Sequence, residues 1–146
     1  MHRHLAFAAP LLLLACAAHP PAPRFIVPGA ADSDFVADAL AAAPLAPDQT
    51  VRIHPMLRSQ QTSTAVVQIR DREQPHIHTR YDLTVLLARG RGTLWLAGVA
   101  RQMRAGDVAY IPKGTPHFFV NEGDAPAVSV VVYAPPFSGA DMAPVP

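Results

Sequence analysis

The stretch from Gly106 to Asn121, GDVAYIPKGTPHFFVN, constrains this chain most, because it sets a reversal and places a histidine directly after it. Pro112 and Pro116 hold φ near the ring value and offer no donor, and Gly114 between them is free to take φ > 0. The segment therefore reads as a preset turn between two strands, with His117 at the mouth of the second. Upstream, His76 and His78 stand two positions apart, and Asp82 follows four residues after His78. Period-two alternation sends both imidazoles to the same face of a strand. Three imidazoles and a carboxylate brought together form an N/O donor set for one borderline divalent ion, Fe(II), Mn, Ni, Cu or Zn.

These two stretches resemble the paired motifs of the cupins. The first motif, two histidines one apart, an acid and a later glycine, is matched by His76, His78, Asp82 and Gly90. The second is glycine, five residues, Pro-x-Gly, two residues, His, three residues, Asn; Gly106, Pro112, Gly114, His117 and Asn121 match it without a gap. The first motif departs in two ways: Asp82 stands where glutamate is usual, shorter by one methylene, and Gly90 falls one residue late. The resemblance covers residues 58 to 134 and implies an all-β jelly-roll barrel of two antiparallel sheets. It also implies a divalent transition metal held by His76, His78 and His117, with Asp82 as fourth ligand or as a base one water away.

Many short strands separated by Gly, Pro and Asn turns agree with that fold. Val51–Arg58, Thr62–Arg70, Tyr81–Ala88 and Ala127–Tyr133 read as strands, and Gly92–Met103 as a hairpin turning near Ala97-Gly98. In Tyr81–Ala88, alternation groups Asp82, Thr84 and Leu86 on one face and Leu83, Val85 and Leu87 on the other. Both faces are mostly apolar, so another sheet, the N-terminal segment or a second subunit is expected to cover the outer one. Arg80, Thr84 and Phe119 are candidate pocket residues, Arg80 with the alternative of a solvent-facing turn. Trp95 is read as core filling in preference to pocket lining, His54 before Pro55 as an edge histidine, and Asp107 as a turn acceptor.

The ends read differently. Residues 1–15 have a short basic start and an apolar run from Leu5 to Ala15, too short to span a bilayer, and read as a signal peptide. Leu13-Leu14-Ala15-Cys16 resembles the bacterial lipobox, in which the cysteine is lipidated; the alternative is an ordinary secretory cleavage at Ala15–Ala17. Ala17 after the cysteine implies, by resemblance to sorting rules, a periplasm-facing outer-membrane lipoprotein; otherwise the chain is secreted or periplasmic. Residues 16–50 then hold the anchor, a Pro-rich stalk and a short helix across Ala31–Ala43, N-capped by Asp32 or Ser33 and stopped by Pro44. The cupin domain is placed at 51–134 and an irregular tail at 135–146.

With 146 residues there is room for one domain. Its twelve basic residues are scattered without a block and the formal net charge is +1, which gives nucleic-acid binding no support. Three functions follow. The first is a metal-dependent oxygenase, isomerase or lyase acting on a small oxygen-rich molecule such as a sugar derivative or a hydroxy or keto acid. The second is a non-catalytic envelope protein that binds a small ligand or a metal. The third is a structural homodimer whose histidines are vestigial.

Overall fold

The computed structural model describes residues 26, 34–139 and 141–145. The signal peptide, Cys16 and the stalk expected at the N-terminus lie outside the described residues, as do Asp32 and Ser33.

Helix α1 (Phe35–Ala42) comes first, capped by Asp34, whose Oδ1 accepts the Ala37 N–H at 3.0 Å. The cap is thus one or two residues later than expected, at the acid whose side chain reaches an orphan N–H of the first turn. Among the described residues ten strands follow: β1 (Val51–Arg58), β2 (Ser63–Ile69), β3 (His76–His78), β4 (Asp82–Arg89), β5 (Arg91–Leu96), β6 (Val99–Arg104), β7 (Val108–Ile111), β8 (His117–Asn121), β9 (Ala127–Ala134) and β10 (Met142–Pro144). They form two five-stranded sheets, in the orders β1-β2-β9-β4-β7 and β10-β3-β8-β5-β6, with every named pairing antiparallel. The two-sheet jelly roll is the architecture expected from the motifs. β5 and β6 form the expected hairpin, turning at Ala97-Gly98, and His54 lies on β1, an edge strand.

Alternation divides the long strands cleanly. Ala65, Val67 and Ile69 of β2, Leu83 and Leu87 of β4, and Val131 and Tyr133 of β9 face the barrel interior, where Leu94, Ile111 and Phe119 also pack. The opposite faces present Val66, Ala88, Val128 and Val130, and α1 lays Val36 and Ala39 on them. The N-terminal segment therefore covers the outer apolar face, one of the three expected covers. Val36 is 2 % exposed, and a valine buried to that degree contributes about 1.5–3 kcal/mol. Gln68, pointing outward between Val66 and α1, donates from Nε2 to the Ala43 carbonyl at 2.7 Å, so the helix end and the sheet are joined without a buried unsatisfied polar group.

Gly92 is required where it stands. A Cβ there would overlap the Val120 carbonyl oxygen and come within 2.5 Å of Phe119 Cζ, because β5 runs tightly against β8.

The tail departs from expectation. Among the described residues after Ala134, Phe137 packs on Tyr133 and Tyr81 at ring-centroid distances of 5.0 and 5.5 Å, and its N–H donates to Ser63 Oγ at 2.9 Å. Ser138 and the Tyr81 hydroxyl share a 2.6 Å hydrogen bond. β10 then adds to the free edge of β3, with Met142 opposite His78 and Pro144 opposite His76. The aromatic residues and the unpaired edge give this segment burial and a ladder that its Pro-rich composition does not advertise.

Candidate metal centre

β3 carries His76 and His78 on one face, and its antiparallel register with β8 sets His117 directly opposite His76. Ring centroids are 4.3 Å apart for His76 and His117, 5.1 Å for His76 and His78, and 5.4 Å for His78 and His117. One ring nitrogen from each lies within 4.8 Å of the others, and all three residues are buried. The turn before β8 is held in place on both sides. Gly114, at φ 77°, donates its N–H to the His78 carbonyl at 2.7 Å, and the Ala97 N–H reaches the Pro116 carbonyl at 2.8 Å.

Each imidazole is oriented through Nδ1. His76 Nδ1 lies 2.8 Å from the Gln74 carbonyl, His117 Nδ1 2.8 Å from the Thr115 carbonyl, and His78 Nδ1 2.7 Å from Asp141 Oδ1. Carbonyl and carboxylate oxygens only accept, so Nδ1 carries the proton in each ring and Nε2 keeps its lone pair. This is the arrangement that fixes tautomer and direction in metal-ligating histidines. Burial pushes the His117 pKa down to about 4, against an opposing pull from the Thr115 hydrogen bond, and the neighbouring His76 and His78 lower it further. Burial lowers that of His78 too, with Asp141 acting in the opposite direction. Neutral imidazoles at pH 7 are the form a cation requires.

Asp82 does not join them. It begins β4 on the face opposite Leu83, and Leu83 is the side chain that lines the interior. Its Oδ1 accepts the Lys113 N–H at 2.8 Å. The carboxylate thus braces the turn that delivers His117, and the expectation of Asp82 as a ligand is corrected by the direction of the strand's alternation. Arg80 is exposed in the bend after β3 and its backbone N–H donates to Asp141 Oδ2 at 3.1 Å; Thr84 is exposed on the outer face between Val132 and Tyr110. Neither lines the cavity, whereas Phe119 does. Trp95, expected in the core, is 38 % exposed on the outer face and stacks on Phe118 at 5.8 Å, because Leu94 and not Trp95 takes the inward position on β5. Asp107 is the expected turn acceptor, taking the Arg104 N–H at 2.9 Å.

Three residues of the site were not singled out from sequence. Asp141 sits in the tail, 63 residues from the His78 it orients. Glu73 lies in the loop before β3, and its Oε2 accepts the Phe119 N–H at 2.9 Å while its own N–H donates to the Phe119 carbonyl at 2.9 Å. Burial raises its pKa, with His76 and the Phe119 N–H opposing. Tyr133 faces His78 at a centroid distance of 6.0 Å, its pKa raised by burial and by the Glu73 and Asp141 carboxyls. The sequence signal for Glu73 was its place three residues before His76; for Asp141 there was none. All of these except Asp141 border a cavity of about 320 Å³ inside the barrel, with the histidines in its wall.

Known proteins share parts of this chain's sequence and its fold. Residues 64–133 match the cupin domain family model, just under half of the chain. An uncharacterized protein of Aquifex aeolicus (strain VF5) is 37% identical over 79 residues, which are 54% of this chain and 64% of that protein, so the chain spans a little under two thirds of its length. Among solved structures, TT1209 from Thermus thermophilus is similar with a TM-score of 0.58 at 23% identity, over 65% of this chain and 91% of the other. Streptomyces Pac13, a nucleoside dehydratase solved with uridine, has a TM-score of 0.52 at 19% identity, over 64% of this chain and 84% of the other. At these identities the structures share the fold.

Proposed function

We propose that this cupin barrel is a metal-dependent enzyme, an oxygenase, isomerase or lyase, acting on a small oxygen-bearing molecule beside one divalent transition ion held by His76, His78 and His117. The observation that carries the reading is that three buried imidazoles, each with Nδ1 bonded to Gln74, Thr115 or Asp141, bring one ring nitrogen apiece within 4.8 Å of one another. Structural zinc sites are closed by four protein ligands, and three leave positions open for substrate or water. When bound, such an ion polarises a substrate oxygen or lowers the pKa of a bound water. Glu73, protonated more readily than an exposed glutamate, borders the same cavity and is suited to taking or giving a proton there. Tyr133, kept neutral, offers a hydroxyl for a hydrogen bond.

Export and a lipid anchor at Cys16 belong to the same proposal and rest on residues 1–16 of the sequence. The test is metal analysis of the whole chain, purified without a polyhistidine tag, beside His117→Ala. About one Fe, Mn, Ni, Cu or Zn per chain, lost in the variant, is expected. Absence of metal after reconstitution would overturn the reading.

A further inference from the structure

The two ends of the cavity ask different things of a ligand. The histidines, Glu73 and Tyr133 gather at one end. Along β9 the inward positions run Tyr133, Val131, Ser129, and Ser129 lies about 13 Å from Tyr133 at the rise of an extended strand. Besides these, the wall is made largely of apolar side chains, among them Val67, Val85, Leu94, Met103 and Val131, none of which donates a hydrogen bond, while Thr50 and, next to Glu73 in the chain, Arg72 and Gln74 complete its polar lining. The backbone of these strands is committed to its own ladders.

We infer that the substrate has one oxygen-bearing head and a hydrocarbon body, as in a branched or aromatic oxo acid or ketone, and is not a polyol. This rests on the proposed metal-dependent activity and narrows it, since a sugar derivative was among the substrates expected from the motifs. A hydroxyl pushed against this wall loses water and finds no partner, whereas a methyl group there gains burial. The volume of 320 Å³ is that of roughly ten water molecules at about 30 Å³ each, which suits a molecule of about ten non-hydrogen atoms. Glu73 borders the same cavity in the loop just before His76, so its carboxyl meets the head and not the body.

Two ligands with the same head separate the possibilities: 4-methyl-2-oxopentanoate and 4,5-dihydroxy-2-oxopentanoate, titrated calorimetrically into the whole chain loaded with Zn²⁺. The branched acid is expected to bind about tenfold more tightly or better. Val85→Phe, which fills the wall away from the histidines, should weaken it about tenfold with zinc per chain unchanged. Should that variant not fold, Val85→Thr, close to it in volume, should narrow the ratio between the two ligands. Equal affinities or indifference to both variants would overturn the inference and indicate capture of the head alone, and tighter binding of the diol, or binding of neither at millimolar concentration, would overturn it outright. Zinc content is measured first. A chain that takes up no zinc refutes the metal site, and the same pair titrated into the metal-free chain still decides the preference for the body.

Discussion

Asp141→Asn changes little volume but removes the charge that faces His78. In the wild-type chain Asp141 Oδ1 accepts from His78 Nδ1 at 2.7 Å and Oδ2 accepts the Arg80 N–H at 3.1 Å, with the histidine and carboxylate side chains only 7 % and 0 % exposed. An asparagine can satisfy one of these donors, but its amide nitrogen then faces the other. A buried hydrogen bond to a charged group contributes about 1.5–3 kcal/mol, and loss of a carboxylate partner behind a metal-bound histidine typically weakens metal binding about 10- to 100-fold. The two ranges agree, since tenfold corresponds to about 1.4 kcal/mol. Competition for Zn²⁺ against a chromophoric chelator should therefore show a Kd raised about 10- to 100-fold, with stoichiometry kept near one at saturation. Deletion from residue 140 onward should weaken binding at least as much, because it removes β10 as well. A D141N chain that binds zinc within about twofold of wild type would refute the claim that the tail orients His78 for a metal.

Other outcomes follow from the same structure. In the metal-free chain, His117 titrates at about 4 when folded against an ordinary 6.5, so the unfolded chain takes up the proton first as pH falls. The stability present in full above pH 6.5 should fall by up to about 3 kcal/mol between pH 6.5 and 4. Chemical denaturation of metal-free wild type and His117→Ala across that window checks this, and equal pH slopes would contradict it. Gly92→Ala should destabilise the barrel by about 3 kcal/mol through its clash with Val120 and Phe119, and a loss below about 1 kcal/mol would show that β5 and β8 separate easily. Cys16→Ser should leave the protein soluble or unprocessed at the inner membrane; unchanged outer-membrane fractionation would exclude lipidation.

Much of the fold was legible because its devices are local. The Pro112–Pro116 turn, the Ala97-Gly98 hairpin and the Asp107 acceptor each depend on residues within a few positions of one another. The helix was legible as well, although its cap moved to Asp34. At the site, His76, His78 and His117 were legible and they do come together. Asp82 was misplaced because alternation tells which residues share a face but not which face lies inside. On β4 both faces are apolar enough to be buried: one packs into the barrel through Leu83 and Leu87, the other carries Ala88 under α1.

By itself, then, the sequence determined that His76 and His78 point the same way, since a period of two follows from backbone geometry, and that His117 leaves a preset turn. Only the tertiary structure decided that β3 pairs with β8 in the register that opposes His76 and His117, and that Leu83 takes the inward place beside them. It also brought Glu73 to Phe119 and Asp141 to His78, contacts across 46 and 63 residues of chain. No local rule encodes such contacts. They exist because the closed barrel leaves buried donors at β8 and His78 that must find acceptors, and these two carboxylates are where the folded chain supplies them.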